Sequence, residues 1–149
     1  MDYQRAKLKW NGWGWVDQDF DLHGREEGLW EFLQEQLGVD DLPDTPAMPL
    51  EEMPLPENRL SESQIADLTA LLSEDRVCTD RYERLFHAFG KSYHDLIRLR
   101  SGQVEEVPDA VVYPESADEL AALTNFATEH HLALVPYGGG SSVVGGVEA

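Results

Sequence analysis

The feature that most constrains this chain is a glycine-rich loop near its C-terminal end. Residues 137–146 hold five of the twelve glycines, and they follow an apolar run at residues 132–135 that is typical of a buried strand. Glycine permits positive φ angles and lets backbone amides approach a ligand closely. Consecutive amides can therefore form a nest for an anion, and the hydroxyls of Ser141 and Ser142 add donors. The loop is suited to a pyrophosphate.

Two common phosphate loops fit this segment poorly. A Walker A loop ends in Gly-Lys-Ser/Thr, and no lysine is present here. The dinucleotide fingerprint G-x-G-x-x-G requires a third glycine where this chain has Val143, and residues 142–144 are predicted to be extended rather than helical. A glycine-rich turn between core elements, without any ligand, remains the structural alternative.

The residues before the loop predict a β-α-β unit. A strand is expected at residues 110–113, where Pro114 ends it, and a second strand at residues 132–135. Ser116 and Glu119 predict a capping box for the helix between them. The two strands are expected to be parallel because a helix connects them.

The preceding part of the chain, residues 1–106, is predicted to be mostly helical. Helices are expected at residues 26–37, after a capping box at Ser61 and Gln64, at 80–88 and at 92–98. A proline-rich linker, residues 39–59, is expected to lie extended along a surface. The fold class is therefore α+β: a helical N-terminal region, then the start (β-α-β plus glycine-rich loop) of a second domain at 107–149. The prolines of the linker are Pro43, Pro46, Pro49, Pro54 and Pro56.

Composition excludes several classes of function. Twenty-nine acidic residues oppose eleven basic ones, and a net charge of -18 disfavours nucleic-acid or anionic-lipid partners. With the single cysteine Cys78, neither an intramolecular disulfide nor a multi-cysteine metal site is expected. No segment approaches the ~20 apolar residues that span a bilayer, so no transmembrane segment and a cytoplasmic location are expected.

Other candidate residues are explained better by structural roles. His87 and His94 are spaced for one helical face, but no third ligand completes a metal site, so no metal is expected. The basic residues Arg81, Arg84 and Lys91 are candidates for phosphate contacts, or for pairing with acidic residues. Three of the four tryptophans, Trp10, Trp13 and Trp15, predict an arm that packs onto the body of the protein.

The motifs together resemble a known family. Pro-Asp-Ala-Val-Val-Tyr-Pro at residues 108–114 and Leu-Val-Pro-Tyr-Gly-Gly-Gly-Ser-Ser at 134–142 are similar to the FAD-binding domain of the vanillyl-alcohol oxidase (PCMH-type) family. Three further motifs resemble its alkyldihydroxyacetonephosphate synthase (alkylglycerone-phosphate synthase) branch. They are Lys-Trp-Asn-Gly-Trp-Gly at 9–14, His-Ala-Phe-Gly-Lys-Ser at 87–92 and Ile-Arg-Leu-Arg-Ser-Gly at 97–102.

This resemblance implies that the loop holds the FAD pyrophosphate. In relatives with covalent flavin a histidine of this loop forms the bond, and Gly140 stands at that position, so non-covalent FAD is implied. No catalytic residue is expected in this chain, because the family's catalytic residues would lie further along. The implied cofactor-binding residues are Pro136, Tyr137, Gly138, Gly139, Gly140, Ser141 and Ser142.

The resemblance also implies a function for a longer parent enzyme, of which this chain is expected to be an N-terminal piece. That branch exchanges the acyl group of acyl-dihydroxyacetone phosphate for a fatty alcohol, in ether lipid synthesis. The alternatives are an FAD-linked oxidase or dehydrogenase of a 2-hydroxy acid or another alcohol, and a non-catalytic interaction module. Substrate would bind through other parts of the parent enzyme, and a homodimer of the parent stays open. The piece alone is expected to be inactive and to bind FAD weakly or not at all.

Overall fold

The structure, a computed structural model, describes residues 7–42 and 46–149. These residues form two compact units. One contains the described residues of 1–9 and 13–47, and the other contains 10–12 and 48–149. The predicted division after residue 106 stays a prediction; the second unit extends across it. No described helix is long and apolar enough to cross a membrane.

The first unit consists of a tight hairpin and one helix. Leu8 forms an isolated antiparallel bridge with Trp15, and helix α1 spans Glu26–Leu37 as predicted. Gly38 ends the helix with a φ of 66°, in the left-handed region where glycine is favoured. None of the residues of α1 is fully buried, and Leu29 and Leu33 are half-buried.

The second unit holds four helices, and their N-terminal caps follow from the sequence. Helix α2, Glu62–Leu72, begins at the Ser61 and Gln64 capping box. Helix α3, Arg81–Phe86, is capped by Asp80. Helix α4, Tyr93–Arg100, begins at a box formed by Ser92 and Asp95, and helix α5 spans Ala117–Glu129. In each case the side chain at the cap accepts a bond from the third amide of the helix, which otherwise has no partner.

The small sheet differs from the expected one. Strand β1, Val77–Cys78, pairs antiparallel with β2, Val111–Val112. The predicted parallel pairing is therefore wrong, although the α+β class and the short strand before α5 are confirmed. Residues 132–135 are extended but form no strand, and Leu134 is 45% exposed. A parallel strand needs a neighbour for its backbone hydrogen bonds, and no described segment provides one there.

Two clusters of apolar side chains form the core of this unit. The larger one contains Leu85 and Phe89, and Trp10 packs against it from the N-terminal motif. The smaller one joins Leu68 of α2 to Leu123 and Phe126 of α5.

Part of the proline-rich linker belongs to this core rather than to the surface. Met53, which follows a short 3-10 helix at Leu50–Glu52, is only 2% exposed. The prediction of an extended surface segment is therefore wrong for this stretch, since the thioether fills space beside α3 and α4 residues in the larger cluster. Pro43 lies outside the described residues.

Helix α5 is tied to the turn before β1 by an ion pair. Arg76, from the 3-10 helix Glu74–Arg76, donates to both carboxylate oxygens of Glu119 at 2.7 and 2.9 Å. Ser116 accepts from the Glu119 amide as predicted, but the Glu119 carboxylate does not complete the box. It accepts from Arg76 and from the amide of Glu115, because a bidentate charged donor is a stronger partner than a backbone amide.

We predict different costs for removing two leucines of helix α5. Leu123 is 5% exposed and Leu120 is 52% exposed. Leu123→Ala should lower the free energy of unfolding by about 2–4 kcal/mol, because it leaves a cavity in the smaller cluster. Leu120→Ala, the matched control, should change it by less than about 1 kcal/mol. Urea unfolding followed by circular dichroism measures both, and equal losses would contradict the assignment of the buried face.

The Arg76–Glu119 pair should make stability depend on pH. The hydrogen bonds from Arg76 hold the pKa of Glu119 below its ordinary value of 4.5. A carboxylate with a lowered pKa stabilises the fold above its unfolded pKa, and that stabilisation is lost as pH falls through the folded pKa. Glu119→Gln should therefore lower the melting temperature at neutral pH, and the difference from the parent should shrink as pH falls below the ordinary pKa of 4.5. A difference that is constant over this range would contradict the pair's contribution.

Candidate functional site

The glycine-rich loop presents two open glycines and one buried glycine. Gly138 and Gly139 are exposed, and a Cβ at either position would meet no atom within 4 Å. Gly140 is buried, with a φ of 67°. Within the described residues, the backbone amides of residues 138–142 donate no hydrogen bond to the protein. These amides are available to an anion that approaches from the open side.

The Tyr137 side chain anchors the loop rather than facing this open side. Its hydroxyl lies 3.0 Å from the carbonyl of Phe86 and 3.1 Å from that of Phe89, and it donates its proton to this pair of oxygens. The ring packs edge-on against His87, with centroids 4.5 Å apart. Burial, and then the negative charge of Asp95, raises the pKa of Tyr137 to about 12. The hydroxyl is therefore a donor throughout the physiological pH range.

Two glycines make this close contact between segments possible. A Cβ at Gly140 would overlap the Tyr137 hydroxyl, and a Cβ at Gly90 would overlap the carbonyl oxygen of Ser142. Only glycine lacks the side-chain carbon that causes these overlaps. The glycine motif and the earlier His-Ala-Phe-Gly-Lys-Ser motif are therefore complementary surfaces of one site.

We use the name platform for residues 86–92, on which the loop rests. The amide of Lys91 donates to the carbonyl of Ser142 at 2.7 Å. The amide of Ala149 lies 3.3 Å from the Ala88 carbonyl. The chain from the loop to residue 149 is thus fastened to the platform at both ends.

A further ion pair supports this arrangement from helix α4. Arg98 donates to Glu148 at 2.6 Å, and its guanidinium lies 4.2 Å from the centroid of the Phe89 ring. Because Phe89 is a buried member of the platform, the pair links the segment after the loop to the core. Apolar packing around Phe89 and the Arg98–Glu148 ion pair thus both stabilise the platform.

Histidines do not form a metal site in this region. His87 is buried, its Nδ1 lies 2.8 Å from the Glu83 carbonyl, and its Nε2 lies 3.3 Å from the Tyr113 hydroxyl. His94 is exposed on α4. No group of three metal-binding side chains is found in residues 7–42 and 46–149. His87 has the structural role that we preferred: it joins α3 to β2 and supports the Tyr137 ring.

The basic candidates donate to backbone carbonyls, and Arg84 also lies 3.9 Å from the carboxylate of Asp109. Arg81 donates to the Met53 carbonyl at 2.5 Å. Arg84, which is 3% exposed, donates to Pro108 at 2.8 Å. Lys91, which is 8% exposed, donates to the Trp10 carbonyl at 3.3 Å. Arg81 and Arg84 thus hold irregular segments onto α3, whereas Lys91 lies beside the loop.

The platform is the part of the site that reasoning from the residues alone did not identify. The His-Ala-Phe-Gly-Lys-Ser motif was significant only as a resemblance, and Gly90 was expected to end a helix. Helix α3 ends at Phe86 instead, and Gly90 provides space for Ser142. A glycine two residues after the predicted helix 80–88, between Phe89 and Lys91, was the available signal.

Comparison with known proteins agrees with this site. Residues 108–149 match the family described as FAD binding domain. The chain is 34% identical, over 95% of its length, to alkyldihydroxyacetonephosphate synthase of Trypanosoma brucei brucei, and spans 26% of that protein. It is also 34% identical, over 54% of its length, to the mitochondrial cytochrome D-lactate dehydrogenase of Arabidopsis thaliana, and spans 13% of it.

A solved structure of alkyldihydroxyacetonephosphate synthase has the same fold over the matched region. It superimposes with a TM-score of 0.79 at 31% sequence identity, and it covers 97% of this chain and 29% of its own length. The chain thus spans roughly a quarter of the length of the synthases that it matches. Residues 108–149 therefore match an FAD binding domain, and over nearly its whole length the chain resembles alkyldihydroxyacetonephosphate synthase, as its motifs predicted.

Proposed function

We propose that residues 136–142 bind the pyrophosphate of a non-covalently held FAD. The observation that carries this proposal is the set of unpaired amides at residues 138–142, held in one conformation by the Tyr137 anchor. A pyrophosphate carries negative charge on several oxygens, and amides fixed in advance bind it without further ordering of the backbone. The match of residues 108–149 to an FAD binding domain supports the choice of ligand.

The residues present fit such a group. The open space around Gly138 and Gly139 lets phosphate oxygens reach the backbone, which a larger side chain would obstruct. The hydroxyl of Ser142 lies 3.3 Å from the amide of Gly146, so it stiffens the end of the loop. Ser141 is exposed and supplies a further hydroxyl on the loop.

The position of Gly140 supports the proposed non-covalent mode. No side chain can be placed there while Tyr137 keeps its hydrogen bonds, since the Cβ would overlap the phenol oxygen. A histidine that reached the flavin from this position is therefore incompatible with the anchor. We propose that this loop holds FAD through hydrogen bonds and charge alone.

For the whole protein we propose the synthase reaction, the exchange of the acyl group of acyl-dihydroxyacetone phosphate for a fatty alcohol. The similarity to the synthase extends over 95% of the chain, and the N-terminal Trp-Asn-Gly-Trp-Gly motif resembles that branch of the family. When bound, the flavin supplies the reactive ring of the reaction. The residues described here bind and orient its phosphate end, and they touch no substrate.

A second candidate function is the FAD-linked oxidation of a 2-hydroxy acid. The similarity to D-lactate dehydrogenase favours it, but that match covers only 54% of this chain. The two functions share the pyrophosphate loop and differ in what the rest of the protein does.

We predict that Gly90→Ala weakens anion binding by the loop. The added methyl group would overlap the Ser142 carbonyl and displace residues 140–142 from the platform. Overpacking of this kind costs about 1–3 kcal/mol, so the affinity for pyrophosphate should fall by about tenfold. Amide chemical shifts of the ¹⁵N-labelled chain, titrated with pyrophosphate or FAD, measure this. One loop is part of a site, so a dissociation constant of about 1 mM is expected for the parent chain.

Two controls test whether the loss of binding is specific to Gly90 and to the phosphate groups. Gly28→Ala lies in α1, where a Cβ meets no atom within 4 Å, and it should leave binding unchanged. Riboflavin has no phosphate and should not shift the amides of residues 138–142. Equal shifts with riboflavin and FAD, or unchanged binding by Gly90→Ala, would contradict a pyrophosphate site on this loop.

The reaction itself is tested on the full polypeptide that the gene encodes. Acyl-dihydroxyacetone phosphate and a fatty alcohol should yield an ether product, with no reduction of a dye acceptor by 2-hydroxy acids. Dye reduction without ether product would reject the synthase reaction and favour the second function. Neither outcome alters the prediction for the loop, because both functions require FAD.

A further inference from the structure

Lys91 is a buried cation without a carboxylate partner in the described part of the chain. Its side chain belongs to a residue that is 8% exposed, and the ammonium makes one hydrogen bond, to the Trp10 carbonyl at 3.3 Å. The Phe86 ring lies 5.0 Å from its nitrogen. The other strongly buried cation, Arg84, has Asp109 at 3.9 Å and two carbonyl acceptors.

This arrangement is unfavourable for the protein alone. A buried ammonium loses hydration, and without an opposite charge it is stabilised only by weaker dipoles and ring contacts. Burial accordingly lowers the pKa of Lys91. Acidic residues are abundant in this chain, 29 of 149, yet none pairs with this lysine among the described residues. The described part of the chain therefore leaves the Lys91 ammonium without a negatively charged partner.

The position of Lys91 connects it with the loop. Its amide donates to Ser142, the last residue of the proposed pyrophosphate site, at 2.7 Å. Phe86, whose ring contacts the ammonium, also accepts the Tyr137 hydrogen bond through its carbonyl. The buried charge and the loop's anchor thus share the same platform residues.

We propose that Lys91 is the cationic member of the anion site, and that its charge, placed behind the loop, attracts the pyrophosphate bound to the amides of residues 138–142. This inference rests on the proposed FAD function of the loop. The bound pyrophosphate supplies the negative charge that the protein itself does not provide. Because the Lys91 ammonium contacts Trp10 and the Phe86 ring of the platform, Lys91 is a positioning residue and does not need to touch the phosphate.

A purely structural role for Lys91 is the alternative. In that case the ammonium only clamps the Trp10 carbonyl of the N-terminal motif. Arg100 provides a matched control, since it donates to the next carbonyl, that of Asn11, at 3.2 Å and makes no described contact with the loop. Lys91→Met and Arg100→Met each remove one hydrogen bond to a carbonyl of the N-terminal motif. Only Lys91→Met also removes the positive charge of a platform residue.

The test is pyrophosphate binding to the ¹⁵N-labelled chain, measured from the loop amides at several salt concentrations. Lys91→Met should weaken binding by about three- to tenfold, as expected for a partly screened charge pair, and reduce the dependence on salt. Lys91→Arg should retain most of the affinity, and Arg100→Met should bind like the parent. Equal effects of Lys91→Met and Arg100→Met, or no effect of either, would overturn the inference.

A measurement on the parent chain tests the inference even when the Lys91→Met variant does not fold. A nearby anion favours the charged form of lysine, so saturating pyrophosphate should raise the Lys91 pKa, which ¹³C resonances of its side chain report. An unchanged Lys91 pKa in a chain whose loop amides respond to pyrophosphate would overturn this inference alone. Loop amides that do not respond at all would overturn the proposed FAD function, and this inference with it.

Discussion

The end of helix α3 sets the constraint on which the candidate site depends. A helix end leaves backbone carbonyls without intrahelical donors, and those at a buried end must find partners elsewhere. Here the carbonyl of Phe86, the last residue of α3, faces the Tyr137 hydroxyl. Beyond the helix end, the carbonyl of Phe89 faces the same hydroxyl and that of Ala88 faces the amide of Ala149. The platform therefore needs the glycine-rich segment as much as that segment needs the platform. This mutual requirement explains why two motifs far apart in sequence form one structure.

The fixed loop has a functional consequence. An anion that binds to mobile amides must first order them, which costs conformational entropy and therefore affinity. Here the Tyr137 anchor at one end of the loop and the Lys91 amide at the other hold the backbone in place. Within residues 7–42 and 46–149, the amides of residues 138–142 have no hydrogen-bond acceptor, which suits a ligand with several negatively charged oxygens. Residues 86–92 thus support the loop for which we propose cofactor binding, which was not evident from their composition.

The sequence predicted the features that depend on neighbouring residues. Helix α1, the capping box of Ser61 and Gln64 and the strand before α5 follow from local hydrogen bonds and apolar spacing. The fold class and the flavoprotein family also followed from motifs. Features that depend on distant residues were missed or wrong. The antiparallel partner of Val111–Val112 is a two-residue strand at Val77–Cys78, too short for any periodicity to indicate.

The sequence also did not reveal side-chain partners that lie far apart along the chain. Glu119 occupied a recognisable capping position, but its carboxylate binds Arg76, which the spacing could not reveal. Tyr137 stood within the predicted cofactor loop, yet its ring turns away to the platform. Gly140 was explained by comparison with covalent flavoproteins, whereas the structure gives a physical reason, the overlap of any Cβ with the Tyr137 hydroxyl. Distant contacts decided these three roles.

The most direct test of this account is a crystal structure of the FAD complex of the full polypeptide. The account predicts that pyrophosphate oxygens lie within about 3.2 Å of amide nitrogens in residues 138–142. It also predicts that the Tyr137 hydroxyl stays on the Phe86 and Phe89 carbonyls. A pyrophosphate bound elsewhere, or a Tyr137 side chain that leaves the platform to contact FAD, would contradict the central claim.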